Sequence, residues 1–218
     1  MILGLQIFFA TAFVPSEGAV RLSSTEFRWF NSDPPGPVTA GPTSWVLPVP
    51  DHPGVDGKLG VNDAVSLASY ALGELSFTAT FVNGTLLQGT PSDFADELVV
   101  FAASDVTTYH GFEFGIRLGL ADGTVYAYRQ FPKVGGGVAF QEEKLFANDG
   151  RPHAYDIRLS GNIISYSVDG RAVLQTLYPL VPPSAFYVVT TAHRASAGWA
   201  GSGFALAVAN VTIRQNFL

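Results

Sequence analysis

Apolar and polar residues alternate with a period of two along much of this 218-residue chain, the pattern of strands with one buried face. Leu75, Phe77, Ala79 and Phe81 interleave with Glu74, Ser76, Thr78 and Thr80, which predicts a buried and a wet face. Leu98 to Ala103 and Tyr187 to Ala192 are more uniformly apolar, as strands covered on both faces would be. Phe204, Leu206 and Val208 alternate, and Val211 and Ile213 continue with opposite parity. A β-bulge near Ala209-Asn210 would restore the inward direction. Helical periodicity is hard to find.

Two hairpins follow from turn chemistry. A two-residue turn at Asp122-Gly123 pairs Leu120 with Val125, Leu118 with Ala127 and Phe114 with Phe131 on an apolar face. The other face then carries Glu113, Gly115 and Arg117 beside Tyr126, Tyr128 and Gln130. Arg129 falls opposite Ile116, where its stem would run out to water at the sheet margin. The second hairpin turns at Gly161-Asn162 and pairs Leu159 with Ile164, Ile157 with Tyr166, and Tyr155 with Val168. Slipping that register by one would put all six of those side chains in water. Asp169-Gly170 predicts a further tight turn.

Asn31 to Asp63 is rich in Pro and Gly and reads as a long ordered loop region with a short edge strand around Trp45 to Leu47. Strand signals continue on both sides of it, so the expectation is one all-β domain over residues 1–218, an antiparallel β-sandwich of jelly-roll type. Ile2 to Val14 is apolar but lacks a basic flank, and it is too short to span a bilayer. It reads as a first strand with Phe8, Phe9 and Phe13 in the core, a residual export signal being the other option.

Composition narrows the partners. Twelve basic against eighteen acidic residues give a net charge of −6, which argues against nucleic acid. An apolar content of 47% excludes intrinsic disorder. Without cysteine there is no disulfide framework and no thiolate chemistry. The mean hydropathy of +0.24 gives weight to a homo-oligomer.

His153-Ala-Tyr-Asp-Ile-Arg-Leu-Ser-Gly-Asn-Ile-Ile-Ser-Tyr-Ser-Val-Asp-Gly170 resembles the late hairpin of the concanavalin A-like lectin and glucanase superfamily. Val208-Ala-Asn-Val-Thr-Ile213 is similar to its closing strand, and Phe112-Glu-Phe-Gly-Ile-Arg-Leu118 to its central strands. The resemblance covers about residues 70–214, includes laminin G-like and laminarinase-like jelly rolls, and implies glycan binding on a concave sheet in an extracellular or cell-surface setting. The laminarinase-type run Glu-x-Asp-x-(x)-Glu does not occur here, and legume-lectin metal ligands find no match. No catalytic residue is carried over.

The leading expectation is therefore a non-catalytic carbohydrate-binding or recognition module for polysaccharide or glycoconjugate. Glu113, Arg117, Tyr126, Tyr128 and Gln130 would bind through ring stacking and hydroxyl hydrogen bonds, with Trp45 and Trp199 at the rim. The plain alternative for that face is a wet sheet surface with an Arg117–Tyr128 contact. If the chain is an enzyme, a carboxylate pair of Glu113 with Glu142 or Glu143 would cleave glycosidic bonds. A structural or adhesive assembly protein is the third reading.

No cofactor and no metal site is expected from the scattered His52, His110, His153 and His193. The acidic loops Asp51, Asp56, Asp63 and Asp93, Asp96, Glu97 are of a kind that can hold a structural calcium. Asn83-Gly-Thr and Asn210-Val-Thr fit the glycosylation sequon, and Gly135-Gly136-Gly137 reads as a flexible turn.

Overall fold

The computed structural model describes residues 18–31, 39–50, 60–92, 96–194, 196 and 198–215. The expected first strand with Phe8, Phe9 and Phe13 lies outside these residues, as do His52, Asp51, Asp56 and Asp93. In chain order the strands are β1 (Ala19–Arg21), β2 (Phe27–Asn31), β3 (Thr39–Ala40), β4 (Ser44–Pro48), β5 (Gly60–Ser66) and β6 (Tyr70–Val82). They continue with β7 (Thr85–Gln88), β8 (Asp96–Ala103), β9 (Glu113–Gly119), β10 (Thr124–Pro132), β11 (Val138–Ala147) and β12 (His153–Ser160). The last are β13 (Ile163–Val168), β14 (Arg171–Leu177), β15 (Ala185–Arg194), β16 (Ala200–Ser202) and β17 (Ala205–Gln215). A single 3-10 turn, Ser24–Glu26, interrupts the β-structure among the described residues, and no helix there is long and apolar enough to cross a membrane.

All the pairings are antiparallel; apart from a separate two-stranded ribbon of β7 and β16, they build two sheets. The front sheet runs β2-β5-β15-β8-β9-β10-β11. The back sheet runs β14-β13-β12-β6-β17-β4-β3, with β1 also beside β17. They meet at one corner, where Ala185 and Phe186 of β15 pair with Ala71 and Tyr70 of β6. Inward side chains of both sheets, among them Leu75, Phe81, Leu98, Phe114, Ile157 and Phe186, make one apolar core. This is the all-β antiparallel sandwich that the alternation predicts.

The Gly161-Asn162 hairpin has the expected register, with Tyr155, Ile157 and Leu159 opposite Val168, Tyr166 and Ile164. The expected bulge is present in β17, where the ladder shifts between Ala209 and Thr212 and Asn210 takes φ 57°. The β8 face expected to be doubly covered is so, since Val99 and Phe101 are buried as deeply as Leu98 and Val100. In β6 the polar residues Ser76, Thr78 and Thr80 are also buried, so the face expected to be wet is not.

The β9–β10 hairpin differs from expectation by two residues. Leu118 faces Val125, Ile116 faces Ala127, and Phe114 faces Arg129. Gly123 has φ 64° while Asp122 stays out of the left-handed region, so the turn is not the two-residue mirror-image type. Asp122 instead accepts hydrogen bonds from the Thr124 N–H at 3.0 Å and from the Tyr126 hydroxyl, and the loop lengthens to 120–123. A slip of two keeps every side chain on its predicted face. Arg129 does not run out to water: it reaches across the interior to the Thr176 hydroxyl of β14.

Polar tips of buried aromatics tie the sheets together. Trp45 of β4 donates its indole N–H to Thr190 of β15 at 2.9 Å. Tyr166 of β13 donates to the Tyr128 carbonyl at 2.7 Å, and Tyr178 to the Glu113 carbonyl. The interior thus fixes the backbone of two residues whose side chains point out of the front sheet.

Candidate functional site

The outer face of the front sheet carries a cleft of about 750 Å³, comparable to small-molecule sites in general. Period-two geometry delivers its side chains: Asp63 from β5, Thr191 and His193 from β15, Glu97 and Phe101 from β8, Glu113 from β9 and Tyr128 and Gln130 from β10. A smaller chamber of about 450 Å³ shares Val61, Asp63 and Tyr109 with it and extends to Arg28 and Phe30.

Glu113 stands at one end, only 7% exposed, with its Oε1 lacking a hydrogen-bond partner. Its cross-strand neighbour is Gln130, whose amide N–H donates to the Tyr109 carbonyl at 2.6 Å. Burial, then the negative charge of Glu97 and of Asp105, pushes the Glu113 carboxyl up to about 8. Tyr109, in the left-handed region at φ 55°, is pushed to about 12 by burial and by Asp63 and Glu113. A carboxyl that stays protonated at neutral pH can donate a proton.

Toward the other end a line of charge crosses the sheet. The Thr191 hydroxyl donates to Asp63, and His193 Nε2 lies 3.6 Å from the same carboxylate. His193 Nδ1 is 4.0 Å from Glu97, and Glu97 is 3.4 Å from an Arg117 Nη. Arg117, buried beneath, donates Nε–H to Glu142 at 2.9 Å and a second N–H at 2.5 Å. Burial alone would lower the His193 pKa, but Asp63 and Glu97 outweigh it and raise it. Burial raises Glu97, and the opposing pull of His193 and Arg117 holds that rise back.

The aromatic platform expected from the sequence is not available. Tyr126 and Tyr128 are 7% and 5% exposed. The Arg117 guanidinium covers Tyr126 at 4.7 Å from its ring centre, so the expected Arg117–Tyr128 contact falls on Tyr126, its true register partner. Phe140 of β11 stacks on Tyr128, with centroids 5.3 Å apart. The rim positions expected for the tryptophans are also corrected. Trp45 lies in the core against Phe27 and Trp29; Trp199 is buried beside Phe204 under the Arg194 guanidinium. Neither lines the cleft.

The carboxylate pairs expected for an enzyme change as well. Glu142 shares the outer face but is engaged by Arg117, while Glu143 sits opposite Ala127 and so points to the other face. Glu97 lines the same cleft as Glu113 but toward its opposite end, since it pairs with Gly119 while Glu113 pairs with Ala103. Glu97 was grouped with a calcium-type acidic loop, yet it and Asp96 sit on a strand and face opposite ways. Asp96 is fully buried and accepts from the Ser92 and Ser196 N–H groups at 2.7 and 3.2 Å. Among the described residues no three His, Asp or Glu converge as metal ligands.

Glycine at 115 is a steric requirement. A Cβ there would lie 2.3 Å from the Val100 carbonyl oxygen and 2.5 Å from the Phe101 Cβ. The outer face of β9 therefore reads Glu113, Gly115, Arg117, with no room for a carboxylate between the two charged residues.

No protein-family model and no curated protein matches the chain. Solved structures of similar fold include the Crh5 transglycosylase in complex with NAG, 12% identical over 92% of this chain and 85% of that one, at a TM-score of 0.62. A prokaryotic β-1,3-1,4-glucanase (lichenase) derived from a mouse hindgut metagenome is 14% identical over 92% of this chain and all of that one, with a TM-score of 0.61. A family 16 glycoside hydrolase endo-glucanase from Bacteroides ovatus is 9% identical over 92% and 96%, with a TM-score of 0.55. These neighbours are named as enzymes that act on glycans, which overturns the expectation of a non-catalytic binding module. At this level of identity the likeness defines the architecture: the chain has the concanavalin A-like jelly-roll fold.

Proposed function

We propose that this protein is a glycan-cleaving enzyme, hydrolysing or transferring a glycosidic bond in the cleft of the front sheet. The observation that carries the reading is Glu113: a carboxyl buried in the cleft, with a free oxygen and a pKa raised to about 8. Glycoside cleavage needs an acid that protonates the leaving oxygen and a second carboxylate acting at the anomeric carbon. Glu113 supplies the acid. Glu97 is the other glutamate lining the cleft; burial raises its pKa too, with His193 and Arg117 pulling the other way, and it stands toward the opposite end, across from Gly119, so the acid role of Glu113 carries the reading alone.

Water, or a hydroxyl of a second sugar, takes the place of the leaving group. The neighbours named as glucanases and a transglycosylase support this assignment of substrate class.

The test is reducing-end release from a panel of soluble β-glucans and other polysaccharides by the purified chain. Release is expected, and Glu113→Gln is expected to lower it by at least a hundredfold, within the range of general acid–base contributions. Undiminished release by Glu113→Gln removes that residue from the mechanism.

A further inference from the structure

The cleft floor is unusual for a surface that receives a sugar. Val65, Val99, Phe101, Ala103, Tyr128 and Val189 form an apolar cluster on the outer face of the front sheet, separate from the sandwich core. Val61, Val189, Phe101 and Phe140 line the cavity directly. The polar groups facing it are largely engaged with each other. Asp63 is held by Thr191 and His193, and Glu97 by Arg117 and His193. Gln130 donates to the Tyr109 carbonyl. The free Oε1 of Glu113 remains at one end.

A sugar rich in hydroxyls would lose its hydration on such a floor and recover few hydrogen bonds, a net cost. An alkyl or aryl group would gain by the same transfer. We propose that the cleft accepts a glycoside bearing an apolar substituent, with that group on the Val61–Phe101–Val189 floor and the glycosidic oxygen at Glu113. The occupant is amphiphilic, matching an uncharged acid at one end and an apolar floor beside it. This inference rests on the glycan-cleaving reading and names the substrate class for the same cleft.

Calorimetric binding of matched hexyl and methyl β-glycosides of glucose, galactose and N-acetylglucosamine tests it. For at least one sugar the hexyl glycoside is expected to bind at least tenfold more tightly. Val61→Asn and Val189→Asn, each checked for an intact cooperative melt, should reduce that preference to under threefold. Val61 is the more exposed of the two and guards against loss of folding at Val189. Equal affinity of hexyl and methyl forms for every sugar overturns the inference, as does 1-hexanol binding as tightly as the hexyl glycoside. Polysaccharide release is read on the same preparation. Release with equal affinities overturns the apolar subsite alone, and hexyl preference without release upholds the subsite while removing the cleavage reading.

Discussion

Gln130 lies directly opposite Glu113 in the β9–β10 ladder, so the carboxyl that burial pushes up to about 8 faces a neutral amide, while Glu97 lies beside Arg117 and His193. That asymmetry has consequences in solution.

The first is a dependence on pH. The folded-state pKa of Glu113, about 8, lies above its ordinary 4.5, so between those values the native state holds a proton that the unfolded chain has released. Stability contributed by this group falls as pH rises across that window and levels off above it. Activity that needs the protonated acid should fall over the upper end of the window. Glu113→Gln, neutral at every pH, should flatten the corresponding part of the denaturation-midpoint profile. An unchanged slope would mean that Glu113 titrates normally.

Arg117 should prove hard to replace. It bridges Glu97 and Glu142 and lies over Tyr126. Arg117→Gln removes the guanidinium from Glu142 and leaves Glu97 with His193 alone, at a cost of about 3 kcal/mol, and should shift the acid limb of the pH–rate profile upward as Glu97 loses a counter-charge. Arg117→Lys keeps the charge but not the fork. It should restore the pH limb more fully than the stability, which urea denaturation and a pH–rate series would resolve.

Trp45→Phe removes the indole N–H that reaches Thr190 while filling most of the same space. The expected loss is about 1–3 kcal/mol from the unsatisfied hydroxyl and the lost contacts. Glycan release at saturating substrate should stay within about twofold of wild type, since the ring is inside the sandwich and away from the cleft. A large loss of activity with stability intact would place Trp45 at the substrate.

His153 closes the far side of the back sheet, between Asp169 at 2.7 Å and Asp149 at 3.1 Å. Burial disfavours its charged form, but the two aspartates outweigh that and raise its pKa above the ordinary 6.5. The stability it adds is full below that value and is lost as pH rises through the raised one. The difference in denaturation midpoint between wild type and His153→Gln should therefore shrink as pH rises above the ordinary 6.5 and through the raised value. A constant difference would assign the residue a packing role only.

How far these features were legible in the sequence depended on what sets them. The β12–β13 hairpin was readable because the Gly161-Asn162 turn and the alternation point to one register. The β9–β10 register was not, since a slip of two leaves every residue on its face and only the Asp122 side-chain bonds choose between the options. Glu113 could be placed on the front face by alternation alone. Glu97 was obscured because its neighbours in the chain are acidic, while its partners, His193 and Arg117, come from strands distant in sequence. The covering of Tyr126 and Tyr128 depends on Phe140 and Arg117 closing over them from neighbouring strands, a packing outcome with no local signal. Trp45 and Trp199 follow Pro- and Gly-rich stretches that suggested a rim, yet long-range contacts draw both inward.

The steric closure at Gly115 limits what side-chain variation can reach on this face. An acidic residue introduced at 115 would collide with the Val100 carbonyl and with the Cα and Cβ of Phe101. Trimming the Phe101 ring would leave all three of those atoms in place. A library that varies side chains alone would therefore score 115 as immutable, and a second carboxylate on β9 would require β8 itself to move.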